Sequence, residues 1–364
     1  MSAENGQILP PGSVIGILGG GQLGRMSALA AGRLGYKVHI FSPEKDGPAA
    51  QVSWRNTVAR YDDLAALEAF AKSVDVVTFE FENIPAEAAE ILAKVKPTRP
   101  APRVLHVTQE RLREKRFLEG IGVPVTAFRD VKSAAGLPEA VAAIGTPSIL
   151  KSASFGYDGK GQVRIEAGTD LEEAWKKMGG TVAILEGFID FDCEISVIVA
   201  RNPQGEVALF EPARNHHKHH ILDTSSVPAG IPAKTAHAAE AIARQIAGEI
   251  GLVGLLAVEM FVTKDGRVLV NELAPRPHNS GHWSQDGAVT SQFEQHVRAV
   301  CGLPLGNPAR HSDTVMTNLI GDEVETWPQL LADPDVKLHL YGKAEARPGR
   351  KMGHWNRIRQ KSGV

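Results

Sequence analysis

The chain has 364 residues, with 40 Lys plus Arg set against 42 Asp plus Glu and a formal net charge of −2. This balance supplies no whole-molecule field for nucleic acid or an anionic membrane, so an anionic ligand must be gripped by local groups. The length implies two or three lobes, each able to bury its own core, and no apolar run reaches the length of a membrane span. Cys193 and Cys301 are the only cysteines. Far apart and without metal-ligand spacing, they fit a reducing cytoplasm and read as small core hydrophobes. Residues 1–12 are polar and proline-containing ahead of any apolar run and resemble neither a signal peptide nor a membrane anchor.

Residues 14–18 read as a buried strand, followed by Gly19-Gly20-Gly21-Gln22-Leu23-Gly24 and a helix with Leu23, Met26, Ala30 and Leu34 on one face. Gly35 stops the helix and residues 37–41 form a second strand, giving a βαβ unit whose first turn fits the glycine-rich phosphate-binding pattern. The amides of residues 19–24 are candidates to hold a phosphate; the alternative is a tight turn needed only for packing. A nicotinamide site would place an acid at the end of the second strand, where Phe41-Ser42-Pro43 stands instead. The next strand, residues 74–79, runs into Glu80-Phe81-Glu82-Asn83 at the sheet's ligand-binding edge. Glu80 is a candidate for reading ligand donors, with the alternative that Glu80 or Glu82 caps the helix beginning near Pro85. Pro97, Pro100 and Pro102 mark a linker, and residues 109–119 a charged helix.

Residues 149–151 form a strand ending in Lys151, a cation in apolar surroundings that needs an anionic partner. The glycine-rich connection 154–162 leads to the strand 163–165 and suits a loop folded over a triphosphate. Strand 182–189 exits where backbone groups could meet a nucleotide base, and Glu194 on the following strand could accept ribose hydroxyls or simply be an exposed strand acid. His216, His217, His219 and His220 are nearly contiguous and point in several directions, a poor metal constellation. Residues 236–250 are a helix with a core stripe.

The runs 255–262 and 267–273 flank Asp265-Gly266, which predicts a hairpin with a two-residue type I′ turn. Counting back from a Lys264–Arg267 pair places Glu259 opposite Glu272, on a face shared with Ala257, Phe261, Val268 and Val270. Like charges so placed are destabilising. A Mg²⁺ ion, which takes one or two carboxylates plus substrate phosphates, would turn that repulsion into a site. The alternative is a hydrated edge. Residues 275–283 are a dense polar loop, residues 314–320 a strand, and Lys343, Arg347, Arg350 and Lys351 a basic cluster suited to a phosphate.

Five motifs in this order, Gly19 to Met26, Phe79 to Asn83, Gly156 to Gln162, Asn271 to His282 and Arg347 to His354, closely resemble the N5-carboxyaminoimidazole ribonucleotide synthetase family, the ATP-grasp carboxylases of purine biosynthesis. The resemblance spans nearly the whole chain. It implies an α/β ATP-grasp fold with an N-terminal Rossmann-like domain (1–108), a central ATP-grasp region (109–305, lid about 124–188) and a small C-terminal domain (306–364). It implies ATP bound by Arg111, Lys151, Gly156, Tyr157, Asp158, Gly159, Lys160, Gly161, Gln162, Glu186, Gly187, Phe188, Ile189, Glu194, His217, Asn271 and Glu272. The same resemblance assigns Mg²⁺ to Glu259 and Glu272. It places aminoimidazole ribonucleotide against Gln22, Leu23, Glu80, Tyr157, Lys160, Arg276, His278, Asn279 and Ser280, with Lys343 and Arg350 as its phosphate clamp. Asp158, Tyr157, Lys160 and Arg276 are the catalytic candidates, Asp158 as proton acceptor, and bicarbonate is the co-substrate. A cytoplasmic homodimer is implied, with neither nucleic acid nor membrane as partner.

Two departures stand out. Ala274 occupies a position where the wider ATP-grasp superfamily often has Asn, as it also does in the resembled family. The chain stops soon after His354-Trp355-Asn356, where relatives usually continue, so a last helix and part of an oligomer contact are expected to be missing or replaced. Competing readings are a formate-dependent glycinamide ribonucleotide ligase, a nicotinamide oxidoreductase on residues 14–41, and a nucleotide-binding regulator without turnover.

Overall fold

The computed structural model describes residues 7–154 and 161–362. Its first unit runs β1 (Val14–Leu18), α1 (Gln22–Arg33), β2 (Lys37–Ser42), β3 (Arg55–Val58), α2 (Leu64–Lys72), β4 (Val76–Phe79) and α3 (Ala86–Val95). The strands form a parallel sheet in the order β3-β2-β1-β4. Covered on both faces, β1 and β4 are almost wholly apolar, as a parallel sheet demands, with the one polar side chain, Thr78, 3.1 Å from His296 Nε2. The predicted proline linker contains an additional helix, α4 (Pro102–Thr108), begun by Pro102 in its first turn, where a missing N–H costs nothing. Helix α5 (Arg111–Gly120) follows, capped by the Glu110 carboxylate on the Leu112 amide at 2.9 Å.

The lid consists of β5 (Phe128–Val131), α6 (Leu137–Ile144), β6 (Ser148–Ser152), β7 (Gln162–Ile165), α7 (Leu171–Met178) and β8 (Ala183–Gly187), with strand order β5-β8-β6-β7. Leu150, Ile165 and Leu185 on one sheet face pack against Leu137, Ala140, Trp175 and Met178 of the two helices. The opposite face is left toward the centre of the molecule.

The remaining elements are β9 (Phe191–Arg201), β10 (Val207–Leu209), β11 (Ala213–Lys218), β12 (Ile221–Val227), α8 (Ala233–Glu249), β13 (Gly254–Thr263), β14 (Val268–Ala274), α9 (Ser284–Gly287), α10 (Gln292–Cys301), β15 (Ser312–Ile320), α11 (Trp327–Leu331), β16 (Val336–Leu340) and β17 (Lys351–Gln360). The largest sheet runs β14-β13-β9-β11-β12-β15-β17-β16, so the C-terminal strands extend the central sheet through the β12–β15 ladder. Helix α8 covers one face with Ala239, Ala243, Ile246 and Ala247 against Val197, Val258 and Met260. Helix α10 carries Phe293 and Val297 into the core of the first unit, joining the two sheets.

One turn differs from its sequence prediction, and another carries none. The β13–β14 hairpin closes at Thr263 and Arg267, N···O 2.9 Å, around a three-residue loop with Gly266 at φ +81°, rather than a two-residue turn. That arrangement is the three-residue hairpin with a left-handed third position. The two-residue turn with both central residues at positive φ lies at His219 (φ 51°) and His220 (φ 65°) between β11 and β12. No glycine signals it; histidine is among the residues that tolerate the left-handed region.

Candidate active site

Glu259 and Glu272 do face each other across the β13–β14 ladder, but two departures from the predicted pairing cancel to put them there. The longer turn shifts the outer ladder by one residue, giving Met260–Val270, Phe261–Leu269 and Val262–Val268. A bulge at Asn271 then restores the register at the carboxylates. Val268 and Val270, predicted to share the carboxylate face, instead lie in the α8 core with Met260 and Val262. Glu259 Oε1 is 3.0 Å from His278 Nε2, and Glu272 Oε2 accepts from Arg111 at 3.0 Å. Burial would raise the Glu272 pKa, but the Arg111 guanidinium outweighs it and holds the carboxyl below its ordinary range.

Around this pair lies a cleft of about 940 Å³ between the three sheets. Gln22, Leu23 and Glu80 border it from the first unit, and Lys151, Gly161, Gln162 and Glu186 to Ile189 from the lid. Arg111 borders it from α5, and Glu194, His217, Glu259, Asn271, Glu272, Arg276, His278 and Asn279 from the central sheet and its loops. The structure therefore gathers most of the predicted residues from segments far apart in the chain. Gly156, Tyr157, Asp158, Gly159 and Lys160 lie outside the described residues.

On the lid side, Lys151 pairs with Glu186, whose second oxygen is 3.1 Å from Lys115 Nζ. Burial opposes ionisation of Glu186, yet Lys151 and Lys115 together bring its pKa down to about 2. The Glu186 side chain thus orients the two lysines. His217 Nδ1 sits 2.7 Å from Glu194 Oε2; burial would lower the imidazole pKa, and the hydrogen bond to Glu194 raises it instead.

On the other side, neither Glu80 nor Glu82 caps α3, which starts behind Pro85 without a side-chain cap. Glu80 turns back into the glycine-rich loop, accepting from the Gly21 and Gly24 amides at 2.6 Å each. The cradle proposed for a phosphate is filled by this carboxylate, which satisfies the first amides of α1 and its dipole. A Cβ at Gly19 would stand 2.0 Å from Glu80 Cγ and one at Gly21 2.4 Å from Glu80 Oε1, which explains both glycines. Glu82 accepts from Arg276 Nε at 2.5 Å and from its NH2 at 3.0 Å. Burial would raise the Glu82 pKa, and Arg276 outweighs it. Glu82 was not among the predicted site residues, because its partner is 194 positions away.

Asn279 borders the cleft with its side chain already engaged by the protein, and Ser280 lies behind it. Asn279 exchanges amide hydrogen bonds with Asn318 at 2.7 and 3.0 Å. Ser280 is fully buried, its hydroxyl bonded by Ser196 at 2.6 Å and placed 2.9 Å from His278 Nδ1. Among the described residues, Ser280, Lys343 and Arg350 are not part of the cleft wall, whereas Lys351 is. Lys343 donates to the Lys351 carbonyl at 2.6 Å, and Arg350 to the Glu345 carbonyl at 3.0 Å. Burial, aided by Arg350, pushes the Lys343 pKa down to about 8. Sequence reasoning also passed over Glu114 and Lys115, although both share the α5 face of Arg111 at three and four residues' spacing, the separation at which helix side chains meet.

Two opposed carboxylates, with His278 Nε2 beside Glu259, suit a hard cation such as Mg²⁺ completed by phosphate oxygens and water. Among the described residues no group of three or more His, Cys, Asp or Glu gathers as a metal cluster, so a divalent ion would bind together with its nucleotide. The family profile of the ATP-grasp domain matches residues 116–293. That of the ribonucleotide synthetase preATP-grasp domain matches 13–109, and that of the phosphoribosylaminoimidazole carboxylase C-terminal domain matches 314–363. The chain is 50% identical to the N5-carboxyaminoimidazole ribonucleotide synthase of Brucella melitensis biotype 1, over 97% of this chain and 98% of the relative. The crystal structure of an ADP complex of N5-carboxyaminoimidazole ribonucleotide synthetase superposes with a TM-score of 0.95 at 46% identity, covering 98% of this chain and 94% of the other. The Aspergillus clavatus N5-carboxyaminoimidazole synthase, in complex with ADP and 5-aminoimidazole ribonucleotide, superposes at 0.91 and 29% identity, covering 96% and 95%.

Proposed function

This chain belongs to the N5-carboxyaminoimidazole ribonucleotide synthase family, and on that premise we propose how its cleft performs the reaction. It is an ATP-grasp ligase that carboxylates 5-aminoimidazole ribonucleotide at the expense of ATP in purine biosynthesis. Each relative cited above is named an N5-carboxyaminoimidazole synthase or synthetase, which leaves the formate-dependent ligase reading without support. The observation that carries the site reading is the opposed Glu259–Glu272 pair at the cleft between the lid and the central sheet.

ATP lies under the lid with its base against residues 186–189, its ribose at Glu194 and His217, and its phosphates toward Arg111 and Lys151. Glu259, Glu272 and Asn271 flank the phosphates. Glu259 and Glu272 would hold Mg²⁺, which would supply charge neutralisation for the phosphoryl transfer. A bicarbonate oxygen attacks the γ-phosphorus, the bond to the β-phosphate oxygen breaks, and ADP leaves with carboxyphosphate formed. The exocyclic amine of the ribonucleotide then attacks the carboxyl carbon, inorganic phosphate departs, and the amine gives up a proton to Asp158. Arg276, oriented by Glu82, stands beside the reacting carboxyl group and stabilises its negative charge. Tyr157 and Lys160 complete the ribonucleotide surroundings with Gln22, Leu23, Glu80, His278 and Asn279, and Lys343 with Arg350 holds its phosphate. The reading extends to a cytoplasmic homodimer on the strength of the family resemblance.

Bicarbonate labelled with ¹⁸O tests the chemistry. Transfer of one labelled oxygen into released phosphate is the expected result; unlabelled phosphate would rule out attack by bicarbonate on ATP.

A further inference from the structure

The outer β13–β14 ladder, continued without interruption, would carry Glu272 to the α8 core face, because a one-residue slip reverses every side chain of a strand. The extra residue Asn271 is what returns Glu272 to the cleft. β14 is the edge strand of its sheet, and around the bulge its free backbone groups are met by helix α5 and, for the Val270 amide, by the Pro124 carbonyl at 2.8 Å. Lys115 Nζ donates to the Val270 carbonyl at 3.2 Å and the Asn271 carbonyl at 2.8 Å, while Glu114 Oε2 accepts from the Leu273 amide at 3.0 Å. One turn earlier on α5, Arg111 grips the Glu272 carboxylate. The third Lys115 proton faces Glu186 at 3.1 Å, so the ammonium spends all three donors on two carbonyls and one carboxylate. Its side chain is 2% exposed. That degree of burial is tolerated by a lysine only with every donor matched.

We propose that Lys115, seconded by Glu114, is a positioning residue: it fixes the Asn271 bulge and so sets the register that opposes Glu272 to Glu259. Through Glu186 the same ammonium ties this register to the strand assigned to the nucleotide. The proposal rests on the reading of Glu259 and Glu272 as the divalent-cation ligands. Lys115 touches no reacting atom; it acts through the strand.

The test compares Lys115→Met and Lys115→Arg with the parent. It measures Mn²⁺ binding by electron paramagnetic resonance titration in the presence of ADP, and hydrogen exchange along residues 268–274. The Met variant is expected to bind Mn²⁺ at least tenfold more weakly and to exchange faster at Glu272 and Leu273. The Arg variant, which can donate to both carbonyls, is expected to recover most of both losses. A folded Met variant within twofold of the parent in Mn²⁺ affinity and unchanged in exchange overturns the proposal, as does an Arg variant as impaired as Met. Should Met prevent folding, Glu114→Met reads the clamp from its other half: faster exchange at Leu273 with weaker Mn²⁺ binding supports it, and neither change overturns it. Glu259→Gln and Glu272→Gln serve as controls. If both leave Mn²⁺ affinity intact, the cation assignment fails by itself, and the exchange measurements still decide whether the clamp exists.

Discussion

Breaking the Arg276–Glu82 pair in two ways separates the worth of the contact from the cost of orphaning a buried charge. The two side chains are 18% and 25% exposed and joined by two hydrogen bonds. Each charge-assisted bond contributes about 1.5–3 kcal/mol gross, and much of that is offset by desolvating both ions. Residual solvent contact trims the remainder, leaving a coupling of about 2 kcal/mol. Glu82→Gln strands the guanidinium and is expected to cost about 3 kcal/mol. Arg276→Met, which strands the carboxylate, should cost a similar amount. The double variant should lose much less than the two together. Urea unfolding followed by tryptophan fluorescence gives the three differences, and steady-state kinetics on the same proteins gives the functional side. Glu82→Gln should lower kcat at least tenfold while leaving ADP affinity within about threefold, since Glu82 orients Arg276 and is assigned no contact with the nucleotide. Strictly additive stability losses, with coupling below about 0.5 kcal/mol, would refute the pairing as the source of Arg276 placement.

Lys343, with its pKa pushed down to about 8, loses its charge as pH rises through that value. The KM for the ribonucleotide should therefore climb up to about tenfold per pH unit above 8, with kcat flat, and a pH-independent KM would remove Lys343 from the phosphate clamp. Glu114 is raised by burial to about 8 from an ordinary 4.5. The folded state then binds the extra proton between these values, and stability falls as pH rises through the window. Glu114→Gln should gain on the parent by about 3–4 kcal/mol between pH 5 and pH 8, read from urea midpoints; a constant difference would contradict the burial argument. Gly19→Ala combines φ +116° with a Cβ 2.0 Å from Glu80 Cγ and should cost about 3 kcal/mol or more. Gly136→Ala, with φ −84° and open space, should stay within about 0.5–1 kcal/mol of the parent in thermal unfolding.

What the sequence disclosed was local or periodic. The glycine-rich turn, its strands and helix, the charged helix after the prolines and the Asp265-Gly266 hairpin all appear close to where the pattern puts them. The hidden parts are those whose physical cause lies far along the chain. Nothing around Gly19 to Gly24 reveals that Glu80 will fill the cradle, because a phosphate and a carboxylate satisfy the same amides. The Glu259–Glu272 pairing was reached through a turn one residue too short, and the Asn271 bulge that corrects it depends on Lys115, over 150 positions away. The positive-φ turn at His219-His220 has no glycine to announce it. Asn279 and Ser280, polar residues in a loop rich in ligand-binding types, prove to spend their side chains on Asn318 and Ser196.

The most direct test of the central claim is steady-state phosphate release from Mg²⁺-ATP by the intact protein. It is run with 5-aminoimidazole ribonucleotide in the presence and absence of bicarbonate, and with glycinamide ribonucleotide plus formate as the rival pair. Release that requires the imidazole substrate and falls when bicarbonate is stripped is the expected result. Release with the rival pair alone would contradict it.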